Sequence, residues 1–522
     1  MKAGADPRGL DRRVLYNSDC TNIFITARGH QVLRRGDLEA VIDELADTQV
    51  GVFVSNVVDR WQCFYASQAF EWPAALPAGG GGYPTHMLVA ESLRDLIAAG
   101  ADPLRVMLDR AHARGLKFVA SFRMNDMHAL APDNPIYGAF RRQHLDWRLR
   151  DETGQVYPGL DYAQPAVAAR TLAIAEEIIQ LYPVDGLEFD FMRHPWFFQL
   201  GAEAAGAPRI TGLLERTRAL LDAGGGRGRR WLGVRVPATL AACREIGLDV
   251  ERWIVQGLVD YICPSDYFFT DFKLPVAAWR ELIGARPIGL FPSLHPFLAS
   301  AQSGAPFRQA ELLEPVAQQT AANLFYEQGA DGVSVFNWFV PREYQNAPGL
   351  DLETLRRIGS AESCAVRPHR YRFHPLWGAE PLLASRRRCR AFSATERHDM
   401  IVLDRAQPGA TGVMTFPLSA RTDWPRARGA LAFKIEHLMA DDTVSLRFNG
   451  RDIPFERFAL RYYPAGRNGS MGARLGPYAQ LAAPLEQIPL QGGDNELRAT
   501  LERARGDLAA PIRISELRLD VE

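Results

Sequence analysis

Lysine is nearly absent from this chain. Only Lys2, Lys117, Lys273 and Lys434 occur, so almost all of the 60 basic residues are arginine. That bias points to a GC-rich bacterial coding background and to no activity by itself. Cysteine is scarce as well. The six thiols, Cys20, Cys63, Cys243, Cys263, Cys364 and Cys389, form no CxxC pair. They read as isolated, mostly buried thiols of a reduced protein, with one disulfide as the alternative in an oxidising compartment. No stretch approaches the roughly 18 apolar residues that a membrane span needs. The opening MKAGADPRGLDRRVLYN lacks the apolar centre of a signal peptide. A cytoplasmic protein is therefore expected, with periplasmic or secreted placement as the alternative if a leader has been removed. An excess of charge of one sign is missing too. The formal net charge is -1, which gives no reason to expect nucleic acid or an anionic membrane as partner. No Gly-rich nucleotide fingerprint follows a strand, no GxSxG is present, and neither HxH nor HExxH occurs. Neither a cofactor nor a metal is expected.

What is present is an ordinary globular composition, 47% hydrophobic and 23% charged over 522 residues, long enough to bury a large core without a staple. Short β-rich runs alternate with helix-like segments. The runs are VLYN (14–17), GVFVSN (51–56), LKFVASFRMND (116–126), VDGLEFDF (184–191), WLGVRVP (231–237), VDYICPSDY (259–267), PIGLFPSL (287–294) and DGVSVFNW (331–338). Alternating β and α implies a parallel sheet. Eight repeats imply a (β/α)8 TIM barrel, with a doubly wound open sheet as the alternative. The GGGG at 79–82 reads as a flexible turn among prolines. Beyond about residue 365 the pattern changes. DTVSLRFNGRDIPF reads as two strands around an Asn-Gly hairpin turn, and PIRISELRLDVE alternates with period two. The expected organisation is a barrel over 1–362 and an antiparallel β-sandwich over 363–522. The sandwich could bind glycan, cap the barrel or join copies into a homo-oligomer. Its Arg run at 386–390 reads as a solvated face, and 459–472 as a loop that could reach the barrel mouth.

The run VDGLEFDF carries an oddity. Glu188 and Asp190 lie two residues apart in a strand, so both face the barrel interior, Asp190 at the C-terminal rim and Glu188 one layer deeper. Two carboxylates so close need a cation or a raised pKa. The other strands end in polar groups as well. Asn17, Asp19 and Asn22 follow the first, Asn56 and Asp59 the second, and Arg123, Asn125, Asp126 and His128 the third. Arg193 and His194 follow the fourth, Arg235 the fifth, Ser265, Asp266 and Tyr267 the sixth, and Asn337 and Trp338 the eighth. Such groups suit sugar hydroxyls and ring faces, so the rim reads as a carbohydrate site. Plainer readings stand beside this one. Asp266 could cap a helix, Glu188 and Asp190 could pair structurally with Arg123 or Arg235, His128 and His194 could be loop histidines, and Trp338 could be core.

VDGLEFDFMRHP resembles the fourth-strand motif of the glycosyl-hydrolase-like barrel families related to glycoside hydrolase family 10. Their pattern runs Asp-Gly-hydrophobic-x-hydrophobic-Asp, then Arg-x-Pro. Here it is Asp185, Gly186, Leu187, Glu188, Phe189 and Asp190, then Arg193, His194 and Pro195. RRQHLDWRLRDETG resembles the His-Pro-Glu-Trp segment through His144 and Trp147, with Leu145 and Asp146 in place of Pro and Glu. GLDYAQPAVAAR resembles the entry into the next helix through Leu160, Asp161, Pro165 and Val167, the Arg being displaced to Arg170. RMNDMH fits sugar-binding ends of the third strand. The resemblance covers roughly residues 14–345 and implies a glycoside-hydrolase-like barrel with an accessory β-sandwich. The same spacing occurs in other sugar-cleaving barrels, where the Asp at the position of Asp190 is the nucleophile. No Glu ends the strands read as fifth or seventh, so the acid and nucleophile of typical family 10 enzymes do not carry over.

These readings combine into a two-carboxylate glycoside hydrolase. Asp190 is the expected nucleophile, Asp266 the acid/base, and Glu188 tunes Asp190 or serves as the acid. Asn17, Asn56, Arg123, Asn125, Asp126, His128, Arg193, His194, Arg235, Tyr267, Asn337 and Trp338 are the expected sugar contacts. The arginines and histidines hint at an acidic or sulfated sugar. The alternatives are a non-catalytic glycan-binding barrel and a metal-dependent sugar-modifying enzyme.

Overall fold

The computed structural model describes residues 13–19, 23, 33–72, 84–128, 132, 137–223, 230–267, 269–298, 311–340, 350–375, 400–407, 409–464, 466–467, 474–475 and 477–522. Cys20, Asn22, the glycine run at 79–82, the arginine run at 386–390 and most of 465–472 lie outside them. The chain divides into two compact units. One comprises Met1–Tyr267, Val276–Ser293 and Ala330–Gly359, and the other Phe268–Pro275, Leu294–Gly329 and Ser360–Glu522.

The first unit is a TIM barrel. Its strands are β1 (Val14–Ser18), β2 (Val50–Asp59), β3 (Lys117–Arg123), β4 (Gly186–Asp190), β5 (Trp231–Pro237), β6 (Tyr261–Ser265), a broken β7 (Gly289–Leu290 and Ser293–Leu294) and β8 (Val333–Phe336). Neighbours pair in parallel around the ring. Closure comes where the Asp331 amide donates to the Leu290 carbonyl and the Ser334 amide to the Pro292 carbonyl, each at 3.0 Å. PIGLFPSL was expected as one strand. Pro292, which has no N–H to donate, falls in the gap between its two short pieces. The strands are buried almost end to end, as a sheet covered on both faces requires. Inside, Leu15, Val52, Val54, Val119, Trp231, Tyr261, Cys263 and Phe291 pack as one cluster.

Three aspartates stand at strand entrances. Asp185, Asp260 and Asp331 precede β4, β6 and β8. Each accepts the backbone N–H of the preceding strand, from Phe118 at 2.9 Å, Leu232 at 2.7 Å and Leu290 at 2.9 Å. Each also meets a cation, Lys117, Arg218 or Arg280. Asp185 of the family-like motif is therefore a structural latch far from the strand's C-terminal end.

The second unit contains two large antiparallel sheets, beside two two-stranded ones among the described residues. The strands of the large sheets are β9 (His369–Phe373), β10 (Met400–Leu403), β11 (Thr411–Leu418), β12 (Gly429–Glu436), β13 (Thr443–Phe448), β14 (Arg451–Ile453), β15 (Ala459–Tyr463), β16 (Tyr478–Pro484), β17 (Gly493–Arg503) and β18 (Ile512–Val521). One sheet runs β9-β18-β12-β16-β15, with β10 also on β18, and the other β11-β17-β13-β14. The Asn-Gly hairpin forms as the sequence predicts. Phe448 pairs with Arg451, and Asn449 and Gly450 take φ of 47° and 79°, both positive as a type I′ turn needs. Four described cysteines, Cys63, Cys243, Cys263 and Cys364, are free and buried. Among the described residues no helix is long and apolar enough to cross a membrane.

Candidate active site

The strand register sets two layers at the C-terminal end of the barrel. In the outer layer Asp59, Arg123, Asp190 and Arg235 are successive Cα partners on β2, β3, β4 and β5. Acid and base alternate across four strands. One layer down, Asn56, Ser121, Glu188, Gly233 and Tyr261 are in register.

Glycine at 233 makes the lower layer possible. A Cβ there would lie 1.9 Å from the Tyr261 ring. With no side chain in the way, the Tyr261 hydroxyl donates to Glu188 Oε2 at 3.1 Å. Asn17 Nδ2 at 2.7 Å and Ser121 Oγ at 3.1 Å both donate to Oε1. Glu188 is fully buried. Burial first, and the Asp190 charge second, push its carboxyl up to about 7 against the pull of these donors. The sequence placed Glu188 among the catalytic carboxylates. The structure buries it completely, one layer beneath Asp190. Asn17, expected to bind sugar, instead spends its amide on Glu188.

Asp190 stands one layer higher. Arg235 Nη1 donates to both its oxygens, at 3.1 and 3.2 Å, and the Met192 amide donates to Oδ1 at 2.8 Å. The other guanidinium nitrogen, Nη2, reaches Ser265 Oγ at 3.1 Å and the carbonyls of Asp266 and Tyr267 at 3.5 and 3.4 Å. The face of Arg235 lies 3.6 Å from the Phe336 ring centre. One arginine thus ties the ends of β4 and β6 together, holding the Asp190 carboxylate and the backbone of Asp266.

A second network lies across the ends of β1, β2 and β3. Arg123 pairs with Asp19 at 2.6 Å, Asp126 at 2.9 Å and Asp59 at 3.5 Å. Arg60 pairs with Asp59 at 2.7 Å and Asp126 at 3.1 Å. Burial raises the Asp59 carboxyl despite Arg60. At Asp126 burial is outweighed by His128, Arg60 and Arg123, which hold the carboxyl well below its usual range. At Asp19, Arg123, Arg193 and the Asn337 amide likewise outweigh burial. Asn337 Nδ2 donates to Asp19 Oδ2 at 2.9 Å, and Asn56 Nδ2 to the Asp19 carbonyl at 3.3 Å.

Arg193 completes the rim. Its Nη1 donates to the Tyr267 hydroxyl at 2.8 Å, and its Nη2 lies 3.1 Å from His128 Nε2. A guanidinium can only donate. In that contact His128 Nε2 is the acceptor, while its Nδ1 lies 2.8 Å from Asp126 Oδ1. Among the described residues the hydrogen-bond partners of Arg193 are neutral, its buried Nε has no acceptor, and Asp126 and Asp19 act on it only through their charge.

Three other expected sugar contacts turn inward. Asn125 donates to the carbonyls of Leu160 and Trp196 and accepts from the Leu160 amide. His194 is fully buried, accepts from the Met127 amide and stays neutral, because burial and then His128 push its pKa well down. Trp338 is core, with its indole N–H on the Asp351 carbonyl. Several loops that carry these groups hold non-glycine residues at positive φ, namely Arg60 at 53°, Trp61 at 57°, His194 at 62° and Asn337 at 51°. Such conformations cost about 1–3 kcal/mol each and gather where function fixes the backbone.

Asp126, His128 and His194 offer ligand atoms within 4.8 Å of one another. Arg60 and Arg123 already neutralise Asp126, and Arg193 holds His128. Three guanidiniums around that cluster oppose a metal cation. The sequence reading missed Arg60, Ser121 and Tyr261, and passed over Asp19 as a site residue although it ends β1.

Residues 20–199 match the protein family described as glycosyl hydrolase-like 10. Among curated relatives, the glycosyl hydrolase DigH of Escherichia coli (strain K12) is 27% identical over 212 residues, which is 32% of this chain and 47% of the relative. The glycosyl hydrolase YngK of Bacillus subtilis (strain 168) is 22% identical over 297 residues, 48% of this chain and 53% of the relative. The chain spans about half the length of the curated relatives it matches. One similar solved structure is the PgaB (BpsB) glycoside hydrolase domain from Bordetella bronchiseptica, at 13% identity and a TM-score of 0.41, covering 67% of this chain and 99% of that one. The resemblance carried by the fourth-strand motif is borne out: over residues 20–199 this chain matches the glycosyl hydrolase-like 10 family.

Proposed function

We propose that the chain is a glycoside hydrolase working through Asp190 and Asp266. The observation that carries this reading is Asp190 itself, a carboxylate at the C-terminal end of β4 held by Arg235. That is where a TIM barrel places its chemistry. Arg235 holds Asp190 oriented through both carboxylate oxygens. In the retaining route Asp266 protonates the glycosidic oxygen as that bond breaks, and Asp190 attacks the anomeric carbon. Water, deprotonated by Asp266, then releases the sugar from Asp190. Retention needs the two carboxyls about 5–5.5 Å apart in the working complex, and inversion about 6.5–9.5 Å. Glu188 acts from below as a positioning residue. Its charge state and its hydrogen bonds fix the β4 end without touching substrate.

The substrate class we propose is an acidic sugar, because among the described residues no carboxylate forms an ion pair with Arg193 at the rim. Tyr267 and His128 orient its guanidinium towards that group.

A second reading has one observation in its favour. Asp190 is only 3% exposed and engaged by Arg235 on both oxygens, which also fits a glycan-binding barrel without turnover. A panel of aryl glycosides and acidic polysaccharides, with reducing-end detection, separates the two when Asp190→Asn is run beside the wild type. Hydrolysis requires product from the wild type alone. Binding without turnover gives no product from either and equal glycan affinity.

A further inference from the structure

Arg141 belongs to neither network, and no ion pair among the described residues compensates its charge. It lies in the short helix Ala139–Gln143 that follows the β3 end, and its side chain is fully buried. Its guanidinium sits 4.1 Å over the Tyr137 ring, and Nη1 makes a long 3.5 Å contact to the His128 carbonyl. Nε and Nη2 are buried and donate to nothing among the described residues. No carboxylate among the described residues forms an ion pair with it. The Tyr137 hydroxyl is a second buried group without a partner.

A lone buried cation is unfavourable unless something pairs with it. The neighbouring acids do not fill that role. Asp59 and Asp126 are engaged by Arg60 and Arg123. Burial, with Arg60 near, pushes the Arg141 pKa down only to about 10, so it remains charged at neutral pH. The orphaned nitrogens and the orphaned hydroxyl share one complement, an acceptor that carries negative charge.

We propose that Arg141 anchors a buried binding site for a compact anion, with the Tyr137 hydroxyl as a further donor. Two sources share that chemistry. One is a free small ion such as chloride, and the other is the acidic group of a bound sugar. This site is separate from the proposed catalytic carboxylates and stands whether or not the chain hydrolyses glycans.

The test is thermal unfolding of the full chain in HEPES buffer at constant ionic strength and pH 7.5. Sodium chloride is titrated in one arm and glucuronate in the other. At roughly a hundred times the dissociation constant, the occupied site raises the Tm by about 3–6 °C. Arg141→Gln should abolish that rise. Tyr137→Phe keeps the ring and should weaken the anion's apparent affinity about tenfold, which keeps the test alive if Arg141→Gln fails to fold. A saturable response to chloride assigns the free ion as occupant, and a response to glucuronate alone assigns the sugar's acidic group. No response of the wild type in either arm overturns the proposal, as does an equal response in Arg141→Gln.

Discussion

Replacing Glu188 by Gln isolates the cost of a buried charge. Glu188 accepts from Asn17, Ser121 and Tyr261 and sits under Asp190, with its carboxyl pushed from 4.5 to about 7. Between those values the folded protein keeps a proton that the unfolded chain has lost. Stability therefore falls as pH rises through that window, and the loss is complete above about pH 7. At 1.36 kcal/mol per pH unit the accumulated loss is about 3 kcal/mol. It is undiminished by solvent, since the side chain is fully buried. Gln has the same shape and no charge, and the Tyr261 hydroxyl can rotate to accept its amide. Urea unfolding of both proteins from pH 4.5 to 8.5 is the assay. The two should have similar stability at pH 4.5. By pH 8 the Gln variant should be the more stable by about 3 kcal/mol, less whatever its hydrogen bonds lose. Asp59, also raised, titrates in both proteins and cancels in the difference. Parallel curves across the whole range would refute the reasoning, because a charge penalty at Glu188 cannot leave the pH dependence unchanged.

Gly233→Ala places a methyl group on the Tyr261 ring. It should destabilise the barrel by about 1–3 kcal/mol and flatten the pH dependence assigned to Glu188, read by the same unfolding series. Arg193→Gln should raise KM for an acidic glycoside roughly 10–100-fold, the worth of one charged hydrogen-bonded pair. It should leave the neutral analogue of that glycoside nearly unchanged, measured by initial rates on the matched pair.

Much of the fold was legible because each layer has its own period. Each β-rich run of the barrel overlaps an observed strand, and the Asn-Gly turn fell where its backbone angles demanded. The inward pairing of Glu188 and Asp190 follows from strand alternation alone. What alternation cannot say is what lies opposite. Glu188 is sealed because Gly233 on the next strand admits a tyrosine from the strand beyond, a relation across three strands that only the register reveals. Asn125 and His194 look like rim ligands in sequence, yet their loops fold back and use them on backbone groups. Arg60 enters the Asp59–Asp126 network through a backbone reversal at φ 53°, which no residue preference announces. Asp185 and Asp190 look equivalent in the motif. Their opposite ends of one strand make the first a latch and the second the proposed nucleophile.

The central claim is that Asp190 takes part in the chemistry. Its most direct test is reducing-end release from a panel of acidic and neutral glycans by wild type and Asp190→Asn, with glycan binding measured on the same samples. The account predicts turnover of at least one acidic glycan by the wild type, a loss of more than about a thousandfold in the variant, and binding largely retained. An Asp190→Asn protein that turns over the same glycan at a comparable rate would contradict it.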